Sequence, residues 1–188
     1  MFRYCPSCAS QKITFSEGKV FLCPDCNFNY FHNIAAANGC LIIVPGTGGE
    51  SEKLVFLVRG KEPGLGKLDL PGGFVDIGEG VLDGLCRELQ EEIGWNPAIP
   101  EGKTRSDVFR LFGSFPNVYE YRGTKYNTCD MYFSVYAPGL KPEDLELEKD
   151  ENTAVRFLRP EEINFSEFAF TSTVQALKAY LNSKQNHG

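Results

Sequence analysis

From residue 73 to residue 95 the chain reads GFVDIGEGVLDGLCRELQEEIGW, and this stretch limits the fold more than any other. Leu82, Leu85, Cys86, Leu89 and Ile93 recur at the three- and four-residue intervals of one helix face. Gly94 stops that pattern and Pro97 follows, so a helix over 80–93 is predicted. Within it, Glu88, Glu91 and Glu92 stand at i, i+3 and i+4, which places three carboxylates on one arc beside the apolar stripe. Like charges at that spacing oppose helix formation by a few tenths of a kcal/mol per pair. A solvated face would mix in lysines, yet Arg87 is the only basic residue between 80 and 95. A cluster of hard oxygen ligands is what Mg²⁺ or Mn²⁺ takes. On these three residues alone, an acidic surface remains the stronger reading.

The residues upstream change that. Gly73, five residues, Glu79, seven residues, then Arg87-Glu88-Leu89-Gln90-Glu91-Glu92-Ile93-Gly94-Trp95 resembles the Nudix box, G-x5-E-x7-R-E-U-x-E-E-x-G-U with U aliphatic. All seven fixed residues are present. At about 7% usage each, a random window matches on the order of once in 10⁸. Trp95 departs from the final aliphatic position. The likeness extends over the flanks DLPGGFVD and DENTAVRFL, roughly residues 38–160. It implies an α/β fold, a mixed-sheet α/β/α sandwich in which a loop–helix–loop holds Mg²⁺ (or Mn²⁺) against a pyrophosphate. By the same resemblance Glu88, Glu91 and Glu92 are the metal carboxylates, the Gly72 carbonyl is a further ligand, and Glu151 is the acid of a distal loop, with Glu148 and Asp150 as neighbours in competition.

The chemistry agrees with the residue types. A diphosphate repels an attacking water, and divalent ions neutralise it and activate that water. Arg87 can pair with Glu91 one turn on, and Glu79 can reach in from the loop. The general base is a carboxylate, Glu88 or Glu151, because the two histidines, His32 and His187, lie far from this segment. Gly72 and Gly73 let backbone approach metal and phosphate closely.

CPSC (5–8) and CPDC (23–26) are two Cys-x-x-Cys units, and two such turns make a closed tetrahedral Zn²⁺ site. Cys5, Cys8, Cys23 and Cys26 are therefore expected to hold a structural zinc. Ala9 and Asn27 stand where the knuckles normally want a glycine in left-handed conformation, which Asn tolerates and Ala adopts at some cost. Cys40, Cys86 and Cys129 sit singly in apolar patterns and read as small buried hydrophobes. The predicted organisation is a zinc ribbon over 1–33 followed by the hydrolase domain over 34–188.

Strands are expected at GCLIIVPG and KLVFLVRG, near 67–70, in the aromatic segments VFRLFGSFPNVYEY and KYNTCDMYFSVYAPG, and at AVRFL. A closing helix is expected over roughly 171–182. The formal charge of −6 argues against nucleic acid as a partner. No apolar run reaches a membrane span and the N-terminus lacks a signal core, so a cytoplasmic protein with no membrane partner is expected.

A zinc ribbon joined to such a domain is similar to the NADH-pyrophosphatase arrangement. That subgroup's downstream S-Q-P-W-P-F-P-x-S is replaced here by GSFPNVYEYRG, and the proline that marks ADP-ribose hydrolases is absent from its usual place. Phe115, Tyr119 and Tyr126 are candidates to stack on a base. Arg59, with Lys61 and Lys67, is a candidate for phosphate. The expected reaction is Mg²⁺-dependent hydrolysis of a nucleoside diphosphate linked to another moiety, such as ADP-ribose, NADH or a related dinucleotide. The alternatives are a nucleoside-triphosphate house-cleaning hydrolase and a nucleic-acid-binding ribbon on an inert scaffold. A homodimer is compatible with the family resemblance.

Overall fold

The computed structural model describes residues 2–185 and divides into two compact units, Met1–Ile34 and Ala35–Gly188. In the first unit, β1 (Thr14–Ser16), β2 (Val20–Leu22) and β3 (Asn29–Phe31) form an antiparallel sheet. So few residues cannot bury an ordinary core. Aromatic rings supply what there is: Phe21 is buried, with Phe15 stacked on it at 4.3 Å and Phe2 at 4.7 Å.

The second unit is built on one mixed sheet. β4 (Ala35–Val44) runs parallel to β8 (Thr124–Tyr136), which pairs antiparallel with β7 (Arg110–Tyr121). On its other side β4 meets β5 (Lys53–Arg59) only at Ile43–Val44. Beyond that point β5 pairs with β6 (Leu68–Asp69) and β9 (Asn152–Leu158). The apolar run of β4 reflects burial on both faces. Cys40 and Ile42 pack under α1 (Val81–Ile93) with Leu85, Leu89 and Ile93. Leu41 and Ile43 pack under α3 (Thr171–Gln185) with Ala176, Leu177 and Tyr180. The result is the expected α/β/α sandwich. A short α2 (Arg105–Val108) precedes β7.

α3 runs three residues past its expected end. NSKQ carries neither Gly nor Pro, and Tyr180 and Lys184 both bind Glu52, which anchors the extra turn. His187 lies outside the described residues. Among these residues no helix is long and apolar enough to cross a membrane.

Candidate functional site

Helix α1 enters from Gly80 and ends at Gly94, whose φ of 63° is the left-handed conformation that closes helices. Two of its last carbonyls are claimed by the chain just before β9. Glu146 donates its N–H to Ile93 O at 2.9 Å and Glu148 to Glu92 O at 2.9 Å. Docking on the helix end carries Glu148 and Glu151 into the same cleft as the α1 glutamates. That cleft has a volume of about 550 Å³, within the range of nucleotide-sized sites.

Arg87 organises the acids. Its Nε donates to Glu79 Oε1 at 2.7 Å and its Nη2 to Glu79 Oε2 at 3.2 Å. Nη1 reaches Glu88 at 2.9 Å and Glu91 at 3.0 Å, and Nη2 also holds the Phe74 carbonyl at 3.1 Å. Glu79 therefore acts on the guanidinium, which holds its carboxyl below the usual range. The same contacts push the already high Arg87 pKa higher.

Glu92 is placed differently. It accepts from the Gly72 N–H at 2.8 Å and from Asn152 Nδ2 at 3.2 Å, and burial pushes its carboxyl up to about 8. Burial also raises Glu88, with Glu91 and Glu151 adding repulsion. A Cβ on Gly73 would collide with the Glu88 carboxylate. Gly72, at φ 144°, could carry a Cβ only by clashing with the Asn38 carbonyl. Pro71 O and Gly73 O accept from β4, whereas the Gly72 carbonyl between them accepts no backbone hydrogen bond among the described residues. Nine acidic residues line this cleft, Glu88, Glu91 and the desolvated Glu92 among them, beside the free Gly72 carbonyl. That donor set fits a hard divalent cation.

The rest of the lining is aromatic and polar. Tyr119 packs against Phe74 at 5.4 Å and Phe170 at 5.8 Å, and the Arg59 guanidinium lies over Phe170 at 5.0 Å. Arg59 also approaches Asp69 at 3.4 Å, and Lys61 pairs with Glu151. Both basic residues line the cleft, as expected, but Lys67 does not. Two of the aromatic candidates do not line the cleft. Phe115 turns into the α3-side core beside Tyr132, and Tyr126, 44% exposed, stays outside the cleft lining. Phe74, Phe170, Asp69, Asn152, Thr128 and Asp130 were not foreseen. Only the alternation of polar and apolar residues along β8 hints at the last two.

Asp69 gives a pH signature. Burial pushes its carboxyl from near 3.8 up to about 6, against the pull of Arg59 and the Thr173 hydroxyl. A carboxyl raised on folding stabilises most at low pH, and that stability is lost as pH rises from about 4 through 6. Asp69→Asn should therefore gain about 2 kcal/mol on wild type between pH 4 and pH 7. Urea unfolding at the two pH values checks this, and a difference that does not vary with pH would contradict it.

In the first unit the ligand atoms of Cys5, Cys8, Cys23 and Cys26 all lie within 4.8 Å of one another. Cys5 Sγ is 3.6 Å from Cys26 Sγ, and Cys8 Sγ is 3.7 Å from Cys23 Sγ. Four thiolates 2.3 Å from a tetrahedral zinc stand about 3.8 Å apart. None of the seven cysteines is in a disulfide. The two turns share one closure, Cys5 N–H to Ser10 O and Cys23 N–H to Phe28 O. Ala9 and Asn27 both take φ 60°, so the alanine adopts the knuckle conformation without distorting the cluster.

The profile of the family described as NUDIX domain matches residues 36–177. An ADP-ribose pyrophosphatase of Methanocaldococcus jannaschii is 33% identical over 70 residues. That match covers 37% of this chain and 37% of the relative, so the chain spans little more than a third of the curated protein it matches. A NUDIX hydrolase from Nitrosomonas europaea superposes with a TM-score of 0.64 at 23% identity, covering 100% of this chain and 94% of that one. The NUDIX domain of Shewanella oneidensis NrtR, solved with ADP ribose, gives 0.62 at 14% identity, over 81% of this chain and 90% of that one.

Proposed function

We propose that this chain, which belongs to the NUDIX family, hydrolyses the pyrophosphate linkage of a nucleoside diphosphate joined to a second group, as in ADP-ribose. One observation carries the reading. A single cleft joins the Glu88, Glu91 and Glu92 carboxylates to a wall of Phe74, Tyr119 and Phe170. The first part suits a metal-bound diphosphate and the second suits a planar base. The names of the relatives above support the same class.

Glu88, Glu91 and Glu92, with the Gly72 carbonyl, are the residues that would hold Mg²⁺ or Mn²⁺. When bound, the cation neutralises phosphate charge and lowers the pKa of the attacking water. Arg87 keeps Glu88 and Glu91 aimed while Glu79 fixes the guanidinium. Arg59 and Lys61 line the same cleft and are read as its phosphate contacts. The water's proton passes to Glu88 or Glu151, both in the cleft lining. Water adds to one phosphorus, the bridging P–O bond breaks, and two phosphate monoesters leave. The four-cysteine cluster is read as a structural zinc site.

A panel of ADP-ribose, NADH and ATP with Mg²⁺ or Mn²⁺, scored by phosphatase-coupled release and product identity, tests the assignment. AMP and ribose 5-phosphate are the expected products from ADP-ribose. Pyrophosphate from ATP with ADP-ribose untouched would replace this reading by the triphosphate one.

A further inference from the structure

The polar floor of the cleft holds two side-chain atoms that nothing in the fold explains. Thr128 and Asp130 are 4% and 7% exposed, both line the cleft, and both come from β8 two residues apart, so they share one face of the strand. Thr128 Oγ1 and Asp130 Oδ1 have no hydrogen-bond partner among the described residues. A buried polar atom left unpaired is costly, so two of them on residues of one cleft point to a ligand group that pairs with them.

The other Asp130 oxygen is committed. Ser172 Oγ donates to Oδ2 at 2.7 Å, and Tyr132 in turn donates to Ser172 at 3.0 Å. Tyr132 also meets Thr173 at 3.1 Å, and Thr173 donates to Asp69 at 2.8 Å. This chain fixes the Asp130 carboxyl and leaves Oδ1 as an unpaired acceptor on a residue of the cleft lining. The Thr128 hydroxyl beside it can donate. The ligand must then offer a donor next to an acceptor, on a flat group able to lie against Phe74, Tyr119 and Phe170. A sugar diol offers the donors but not the plane.

We propose that Thr128 and Asp130 form the base-reading subsite of this cleft and select a nucleobase that carries an exocyclic amino group. This rests on the hydrolase reading above. The amino group donates to Asp130 Oδ1, and Thr128 donates to the neighbouring ring nitrogen or oxygen. Adenine, cytosine and guanine present such an edge. In hypoxanthine or uracil a carbonyl replaces the amine, sets its oxygen against Oδ1 and leaves both unsatisfied.

The test pairs ADP-ribose with its deaminated inosine counterpart, in which a carbonyl replaces the amine and N1 becomes an N–H donor. Wild type is expected to favour ADP-ribose by about a hundredfold in kcat/KM, the cost of one unmade bond to a charged group plus the opposed acceptor. In Asp130→Asn, Ser172 keeps the amide oxygen in its place and turns the NH₂ into the cleft, so the preference collapses or reverses. Thr128→Val keeps the shape and weakens both substrates. Equal handling of the pair by wild type overturns the subsite while leaving the hydrolase reading intact. Should neither be hydrolysed, that reading fails, and calorimetric affinities for the same pair decide the subsite: a tenfold or greater preference for ADP-ribose upholds it and parity overturns it. Guanosine and cytidine diphosphosugars show which amino-bearing base is preferred.

Discussion

Glu92→Gln is expected to lower turnover by about a thousandfold or more while leaving the folded protein at least as stable at pH 8. The carboxylate is the most deeply buried of the α1 acids and is held by the Gly72 N–H and Asn152. As an anion it supplies charge to the diphosphate site that an amide cannot. The same burial raises its carboxyl to about 8, so in chelator its contribution to stability is full at low pH and lost as pH rises from about 4.5 to 8. Glutamine carries no such loss. Its NH₂ does face a donor, at a cost of about 1 kcal/mol, which is less than the penalty removed. Steady-state kinetics with Mg²⁺ and urea unfolding in chelator are the measurements. Near-normal turnover would sink the metal assignment.

Stripping metal from the four cysteines is expected to unfold the first unit outright. Its three strands have three residues each, and Phe21 is the one aromatic buried between them. Structural zinc in units of this size contributes about 10–16 kcal/mol at neutral pH, far more than such a core can. A strong chelator, or Cys23→Ser, should abolish amide-exchange protection in β1–β3 and leave that of β4, β5 and β8 unchanged. Protection that survives with no zinc bound, measured by mass spectrometry, would show that the aromatic core suffices.

The α1 acids were legible in the sequence because their geometry is local. Once a helix runs from Val81 to Ile93, the spacing of Glu88, Glu91 and Glu92 fixes their common face, and Arg87 to Glu91 is an ordinary one-turn pair. The four cysteines were legible for the same reason, two turns with one spacing. What could not be read comes from strand pairing. Asp130 reaches the cleft because β8 lies parallel to β4, with Ala37 opposite Asp130, a crossover no local pattern announces. Asn152 meets Glu92 across 60 residues, through a loop docked on a helix end. Phe115 was expected at the substrate and does not line the cleft. It stands opposite Asp130 on β7, but its ring leans over Gly113 toward Tyr132 and the α3 side. Alternation tells which face a residue takes, not what its side chain leans on.

The central claim is that the α1 glutamates grip a divalent cation that in turn grips a diphosphate. The most direct measurement is Mn²⁺ affinity, by calorimetry, with and without the non-hydrolysable α,β-methylene analogue of ADP-ribose. Each should tighten the other by about tenfold or more, and Glu92→Gln should abolish the coupling. Equal affinity for the analogue in Mn²⁺ and in chelator would contradict it.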